Sequence, residues 1–562
     1  MVLKLKIKMD GPLIIQNDLS LILETDSPYF KEVRDSITMF AELVKSPDHL
    51  HTYKIDCFSI WNAALNGFDK NKILSVLNRY AKYNVPKKVI KYITEVSERY
   101  GKVVLSKDDN NLVLTVSDKT LYISLKKDKK FAQYVKGFNG DRFYIVNEAR
   151  GTIKESVMKH GYPVVDIAGY EEGDELNISA TQITKTGKPF IMRAYQKEAV
   201  DRFWMNGTEF GGSGVIVLPC GAGKTIVGIG IISKAKTSTL ILCPHTSAIK
   251  QWIAEIIDKT DIKSDLIGEY SGNKKEVKPI TVATYQIFTR STKENNENQT
   301  IFNTKKWGLI IYDEVHLLPA PVFRLTAKIQ ATRRVGMTAT LIREDRMETE
   351  VFSLIGPKIY ELGWKKLEQD GWIAPAICTE IRIKLNKKDR DAYINSTPRK
   401  KCRIAAENPV KIKVIKELIE KYKNEQILII GQYITQLKKI SEMFNIPMID
   451  GNSSSTIREK YYQEFREGKR KTIIASRIAN FALNLPETTI AIQVSGLFGS
   501  RQEEAQRLGR ILRPKTGNKE AFFYTLISKD TKEEKFASKR QIFLVEQGYK
   551  YRVVIWRNNK NW

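Results

Sequence analysis

The sequence predicts an α/β chain in which two tandem parallel-sheet domains follow a helix-rich α+β N-terminal domain and a small accessory domain. Three observations predict it. Beyond Arg193, short apolar runs of buried-strand character alternate with helical patterns, as a parallel sheet flanked by helices requires. A second such series appears after about residue 410. The length, 562 residues at 42% hydrophobic content, exceeds what one core usually serves, so at least three globular units are expected.

From the N-terminus, Ser27 and Pro28 open a segment where Phe30, Val33, Ile37, Phe40, Ala41 and Val44 recur at helical spacing, which predicts one amphipathic helix. Further helices are expected around Ile73 to Tyr83 and Val89 to Tyr100, then a hairpin in which Val103 to Leu105 and Leu112 to Val116 flank a polar turn, Ser106 to Asn111. This region, 1–130, is expected to be a separate α+β domain. The basic stretch Lys126, Lys127, Lys129 and Lys130 precedes a second small segment, 131–188, with a strand at Phe143 to Val146 and a helix from Thr152 to His160. A Gly, Thr and Lys-rich loop, Thr184 to Lys188, ends it. The first parallel-sheet domain, 189–365, takes its strands from Val215 to Leu218, Thr239 to Cys243, Ile280 to Ala283 and Leu309 to Tyr312; Asn295 to Thr300 reads as a surface loop. The second, 366–562, takes Gln426 to Ile430, Thr472 to Ala475 and Ile490 to Val494, with a basic insertion at about 384–403.

Lys plus Arg number 92 against 64 acids, a formal charge of +28. Such an excess points to a polyanionic partner, nucleic acid ahead of a membrane surface, without choosing between DNA and RNA. Cys57, Cys220, Cys243, Cys378 and Cys402 lack CxxC spacing, which argues against a zinc site, an iron–sulfur cluster or a disulfide framework. No apolar run approaches the ~18 residues that span a bilayer, so no membrane partner and a cytoplasmic setting are expected.

The chemistry begins where the strand Val215 to Leu218 runs into Pro219-Cys220-Gly221-Ala222-Gly223-Lys224-Thr225 and a helical pattern follows through Ile226, Ile229 and Gly230. Gly221 and Gly223 let backbone amides wrap phosphates, and the helix N-terminus adds a favourable field for anionic oxygen. Lys224 is expected on the β and γ phosphates of ATP and Thr225 on magnesium. Leu218 stands where the strict phosphate-loop pattern asks for glycine. The partner is Asp313-Glu314-Val315-His316, directly after the apolar strand Leu309 to Tyr312. Asp313 can hold magnesium and Glu314 can polarise the attacking water. His316 is expected to report nucleotide state to the neighbouring domain, and Thr338-Ala339-Thr340, after Val335 to Met337, to carry closure toward the strand-binding side.

In Gln506-Arg507-Leu508-Gly509-Arg510-Ile511-Leu512-Arg513, helical spacing puts Gln506, Arg510 and Arg513 on one face. Planar, permanently charged guanidinium groups suit the charge of a transferring γ-phosphoryl group, so Arg510 and Arg513 are expected to act as fingers and Gln506 to meet the nucleotide. Hydrolysis shared by two domains implies that nucleotide state drives movement along a bound strand.

LPCGAGKT, DEVH, TAT and QRLGRILR, in that order, resemble the motifs of superfamily-two helicases, whose motor domains are RecA-like. Arg343-Glu344-Asp345, soon after Thr340, together with IGPKIYEL, EQDGWIAPAICTEI and GSRQEEAQRLGRILRP, resembles the XPB family of DNA repair helicases in its bacterial or archaeal form. IIQNDLSLILETDSPYF, SPDHLHTYKI and SIWNAALNG resemble that family's N-terminal domain, and GYPVVDIAGY its damage-recognition segment.

The resemblance implies an ATP-dependent 3′ to 5′ DNA helicase or translocase of DNA repair, with ATP and Mg2+ as cofactors and single-stranded DNA or duplex junctions as partner. By the same resemblance Arg193 and Gln196 form the adenine-proximal element, Thr284, Tyr285 and Gln286 belong to a strand-binding motif, and Arg343, Glu344 and Asp345 to unwinding. The insertion at 384–403 corresponds to the thumb-like element. Asn484-Leu485-Pro486 stands where the family commonly has Asp-Leu-Pro, which implies weaker coupling. Any nuclease activity is expected in a partner protein, the chain is expected to be a monomer because it supplies both motor halves, and a nucleoid-associated location in a bacterial or archaeal cell is implied.

Overall fold

A computed structural model of the chain describes residues 11–45, 49–65, 67–108, 111–146, 149–168, 173–208, 211–219, 221–272, 274–288, 305–318, 322, 326, 331–339, 354–363, 367–368, 370–372, 376–476, 488–496, 520–546 and 551–557. The chain divides into two compact units, Met1–Leu218 with Gly223–Glu361 and Pro219–Ala222 with Leu362–Trp562.

The first unit opens with a four-stranded antiparallel sheet ordered Leu13–Ile15, Ser20–Glu24, Leu50–Lys54, Glu42–Lys45. Helices Phe30–Ile37, Cys57–Leu65, Lys70–Tyr80 and Lys87–Arg99 accompany it. The helix expected to run through Val44 stops at Ile37. Phe40 and Ala41 are buried in the connection, and Leu43 and Val44 alternate across a strand, the first buried and the second 42% exposed. A run rich in apolar residues matched the helical period over the connection by accident, and strand pairing with Leu50–Lys54 decided it.

The expected hairpin forms, with strands Val103–Asp108 and Asn111–Val116 in antiparallel register. It corrects the boundary at 130, because these strands are the centre of a five-stranded sheet ordered Val135–Asn139, Arg142–Ile145, Asn111–Val116, Val103–Asp108, Val165–Asp166. Leu105, Leu114, Phe131, Phe143, Ile145, Ile153 and Val157 share one core. Helix Arg150–Lys159 packs here, and its buried Arg150 and Lys154 both hold Asp166, with Arg150 Nε 2.9 Å and Lys154 Nζ 3.1 Å from Oδ2. Burial alone would raise the Asp166 pKa, but the two cations win and hold it at about 2.

The boundary at 188 is also corrected. Residues 174–185 are extended and bonded along the parallel-sheet domain rather than to the accessory sheet. Leu176 N donates to Lys236 O, Thr181 N to Lys259 O and Lys185 N to Asp258 O. Those carbonyls lie at the C-terminal ends of helices Lys224–Ala235 and Thr246–Lys259, where backbone acceptors have no partner within their own helix. The strap satisfies them. Thr184 and Lys188 close the expected turn.

The first parallel sheet has seven strands, in the order Ile267–Tyr270, Ile280–Thr284, Thr239–Cys243, Leu309–Asp313, Arg333–Thr338, Ser213–Val217, Lys358–Glu361. All neighbouring pairs are parallel. Helix Cys57–Leu65 lies near the edge strand, where Asn62 Oδ1 accepts from Lys358 N at 3.3 Å.

The second unit contains another seven-stranded, all-parallel sheet: Met448–Ile449, Thr472–Ser476, Ile427–Gly431, Ile490–Gln493, Ala521–Ser528, Ala376–Ile383, Tyr551–Ile555. Both expected parallel sheets are therefore present. The basic insertion is a pair of helices, Lys387–Ile394 and Pro398–Ala406. They are fastened to the unit by Tyr393, whose hydroxyl accepts from Lys532 N at 2.8 Å, and by Ser528 Oγ donating to Ala405 O at 2.7 Å. Among the described residues no helix is long and apolar enough to cross a membrane.

Candidate active site

Ligands of open parallel sheets lie beyond the carboxyl ends of the strands, and the predicted residues of the first unit gather there. Strand Ser213–Val217 leads into the glycine loop, and helix Lys224–Ala235 begins at Lys224. Gly221 and Gly223 have φ of +84° and +83°, a backbone region that side chains disfavour. Gly223 is excluded from carrying a side chain a second way: a Cβ there would sit 2.5 Å from Gln196 Nε2. Gln196 is buried, and its Oε1 accepts from Arg193 N at 2.9 Å at the start of helix Ala194–Trp204. The two predicted adenine-proximal residues are thus one capping pair pressed on the phosphate loop.

Strand Leu309–Asp313 is separated from the loop's strand by Arg333–Thr338. Glu314, immediately after it, has φ +49°, a left-handed conformation costly for a non-glycine residue and characteristic of functional sites. Lys224 Nζ meets Glu314 Oε1 at 2.6 Å, with side chains 12% and 15% exposed. Glu314 Oε2 is buried, makes no hydrogen bond among the described residues, and lies 3.5 Å from His316 Nδ1. His316 Nδ1 in turn shares a 2.6 Å hydrogen bond with Thr338 Oγ1, so the phosphate-loop lysine, the glutamate, the histidine and the end of the next strand form one continuous line.

Electrostatics separates the two acids. Burial, and then the Glu314 charge, push the Asp313 carboxyl above the usual carboxylate range. Burial acts on Glu314 in the same direction, but Lys224 and then His316 overcome it and hold Glu314 below its ordinary value. Glu314 is therefore the better-stabilised anion of the two. Asp313, a buried carboxylate beside the helix that carries Thr225, has the oxygen chemistry of a hard cation's ligand. Among the described residues no three His, Cys, Asp or Glu side chains cluster as a self-sufficient metal site, so an ion here would need further ligands from outside such side chains.

Two contacts on Asp313 were not expected. Trp252 Nε1 donates to Asp313 Oδ2 at 3.0 Å, and Tyr285 Oη donates to Asp313 O at 2.8 Å. Tyr285 is only 2% exposed, so its ring lies inside the domain. Thr284 is likewise buried, and of that motif Gln286 is the exposed member. Trp252 carried no separate signal, because Ile249, Trp252 and Ile256 on helix Thr246–Lys259 have the spacing of an ordinary core stripe. Thr340, Arg343, Glu344, Asp345, Asn484, Leu485, Pro486, Gln506, Arg510 and Arg513, and the loop Asn295 to Thr300, lie outside the described residues.

A phosphate loop and an Asp-Glu pair on one parallel sheet, with a second parallel sheet following in the chain, define the two-domain helicase class of superfamily two. Residues 367–561 match the ERCC3/RAD25/XPB C-terminal helicase family, residues 189–343 the type III restriction enzyme res subunit family, and residues 13–136 a helicase conserved C-terminal domain family. A protein of Kineococcus radiotolerans named DNA 3′-5′ helicase XPB is 44% identical over 97% of this chain and 96% of its own length. One of Mycobacterium tuberculosis with the same name is 43% identical, over 96% of this chain and 97% of its own. The Enterocytozoon bieneusi protein named general transcription and DNA repair factor IIH helicase/translocase subunit XPB is 32% identical over 98% of this chain and 93% of its own. The chain belongs to the XPB family, and it is a helicase that uses ATP.

Proposed function

We propose that the chain is an ATP-dependent DNA helicase that moves 3′ to 5′ in DNA repair. The observation that carries the reading is the line Lys224, Glu314, His316, Thr338. Phosphate oxygens compete with Glu314 for the Lys224 ammonium; as Lys224 turns to the phosphates, Glu314 is released to orient water and accept its proton. Thr225 and Asp313 would hold Mg2+, which supplies neutralisation of phosphate charge when bound. Gly221 and Gly223 admit the phosphates, and Gln196 with Arg193 sets the nucleotide end of the loop. Arg510 and Arg513 stabilise the transferring phosphoryl group, and Gln506 binds the nucleotide. A change at Glu314 is passed by His316 to Thr338 and on to Thr340, and Arg343, Glu344 and Asp345 act at the strand junction.

The DNA assignment is supported by the names of the relatives and by the charge of +28. We assign the first parallel-sheet domain with its strap, about 174–365, and residues 366–562 as the motor domains, the helical insertion near 384–403 as a thumb on the DNA backbone, and the five-stranded sheet region as the damage-reading element. We place the protein in the cytoplasm of a bacterial or archaeal cell, at the nucleoid, as a monomer working with a nuclease partner. The test is strand separation on duplexes with a 3′ or a 5′ single-stranded tail, and on matching RNA. The account expects opening of the 3′-tailed DNA duplex alone. ATP-driven movement without opening would favour a duplex translocase, and preference for RNA would overturn the DNA assignment.

A further inference from the structure

Asp313 is held by Trp252, which no motif assigns, and by Tyr285, both carried by segments that follow strands on the far side of Leu309–Asp313 from the glycine loop's strand. Trp252 is on helix Thr246–Lys259, which follows the neighbouring strand Thr239–Cys243. Tyr285 follows the next strand, Ile280–Thr284. Both rings are 2% exposed. Tyr285 holds the main chain of Asp313 through its carbonyl, while Trp252 holds the carboxylate itself through Oδ2.

The same indole reaches the helix that starts at Lys224. A Cβ at Gly228 would lie 2.4 Å from Trp252 Cη2 and 3.2 Å from Met337 Cε, so the ring occupies the space a side chain would need. Gly228 sits one helical turn beyond Lys224 and Thr225. A single rigid ring therefore touches the helix carrying Thr225 at one end and bonds the Asp313 carboxylate at the other.

We propose that Trp252 is a positioning residue that fixes the spacing and rotation of the Asp313 carboxylate relative to Thr225, and thereby sets how strongly magnesium assists nucleotide binding. A hydrogen bond to one oxygen leaves a carboxylate one remaining orientation in which the other oxygen can serve a cation. Groups that orient metal ligands in this way alter metal affinity by about tenfold or more when removed. This inference rests on the ATP-hydrolysis reading.

The experiment measures binding of a fluorescent ADP analogue to the full chain, in magnesium and in EDTA, for the parent, Trp252→Phe and Gly228→Ala, with thermal melting of each. Trp252→Phe keeps an aromatic ring and removes the N–H. The affinity gained from magnesium falls about tenfold, and the magnesium concentration for half-maximal gain rises in step. Gly228→Ala, which displaces the ring while leaving its N–H in place, shows a loss in the same direction and carries the test if Trp252→Phe does not fold. A parent that gains from magnesium and variants that gain equally would overturn the tether alone. A loss seen only in proportion to a lowered melting temperature would also overturn it, since that is what a merely structural tryptophan does. A parent that gains nothing from magnesium would instead overturn the hydrolysis reading beneath it.

Discussion

At Glu314 a strained backbone, a short ion pair to Lys224 and a buried oxygen 3.5 Å from His316 Nδ1 coincide. If that oxygen accepts the proton of the attacking water, Glu314→Gln removes the base and retains the shape. We expect hydrolysis to fall about a hundredfold or more while nucleotide still binds, measured by steady-state turnover beside equilibrium binding. His316 is one bond further along, on Thr338. His316→Ala is expected to lower strand separation per ATP hydrolysed more than it lowers hydrolysis, and equal losses in both would remove it from the coupling path. These residues were legible because the chemistry forces them into a short string at a strand end. Trp252 was not, since a hydrogen bond between residues on different elements leaves no periodic trace. Tyr285 is legible as part of a motif, but its bond to Asp313 is not, because burial of a ring depends on tertiary packing.

Among elements, apolar runs of four or five residues marked the inner strands of both parallel sheets, where burial on two faces leaves little choice of residue. The five-stranded sheet shows why the rest was harder. Its hairpin is local and was read, whereas the pairing of Asn111–Val116 with Arg142–Ile145 is non-local, and no period reports which later strand an earlier one meets. The strap at 174–185 is polar, lacks regular pairing, and owes its position to carbonyls on two helices. In the accessory sheet, stability depends on Asp166 between Arg150 and Lys154. Its folded pKa is depressed to about 2, so the stabilisation is full above the unfolded value of about 3.9 and is lost as pH falls through the folded one. Asp166→Asn leaves two buried cations uncompensated and is expected to cost about 3–5 kcal/mol at neutral pH. Thermal melting at pH 7 reads it, and an unchanged melting temperature would contradict it.

The whole molecule joins two parallel-sheet domains, an antiparallel sheet with its helices and a five-stranded accessory sheet in one chain with a net charge of +28. Its fold class follows from the alternation of strand and helix signals, its superfamily from four ordered motifs, and its family from Arg343-Glu344-Asp345 and the strings around them, none of which needs atomic detail. The geometry adds a line of contacts from Lys224 through Glu314 and His316 to Thr338 at the end of the neighbouring strand, along which the proposed nucleotide chemistry would act. Charge on this scale also makes association with nucleic acid weaken as salt rises. The most direct test of the central claim is the rate of ATP hydrolysis with and without DNA, for the parent and for Lys224→Ala. The account predicts that DNA raises the parent's rate and that the variant hydrolyses nothing measurable under either condition. Hydrolysis by Lys224→Ala at the parent's rate, or a parent inactive with DNA, would contradict it.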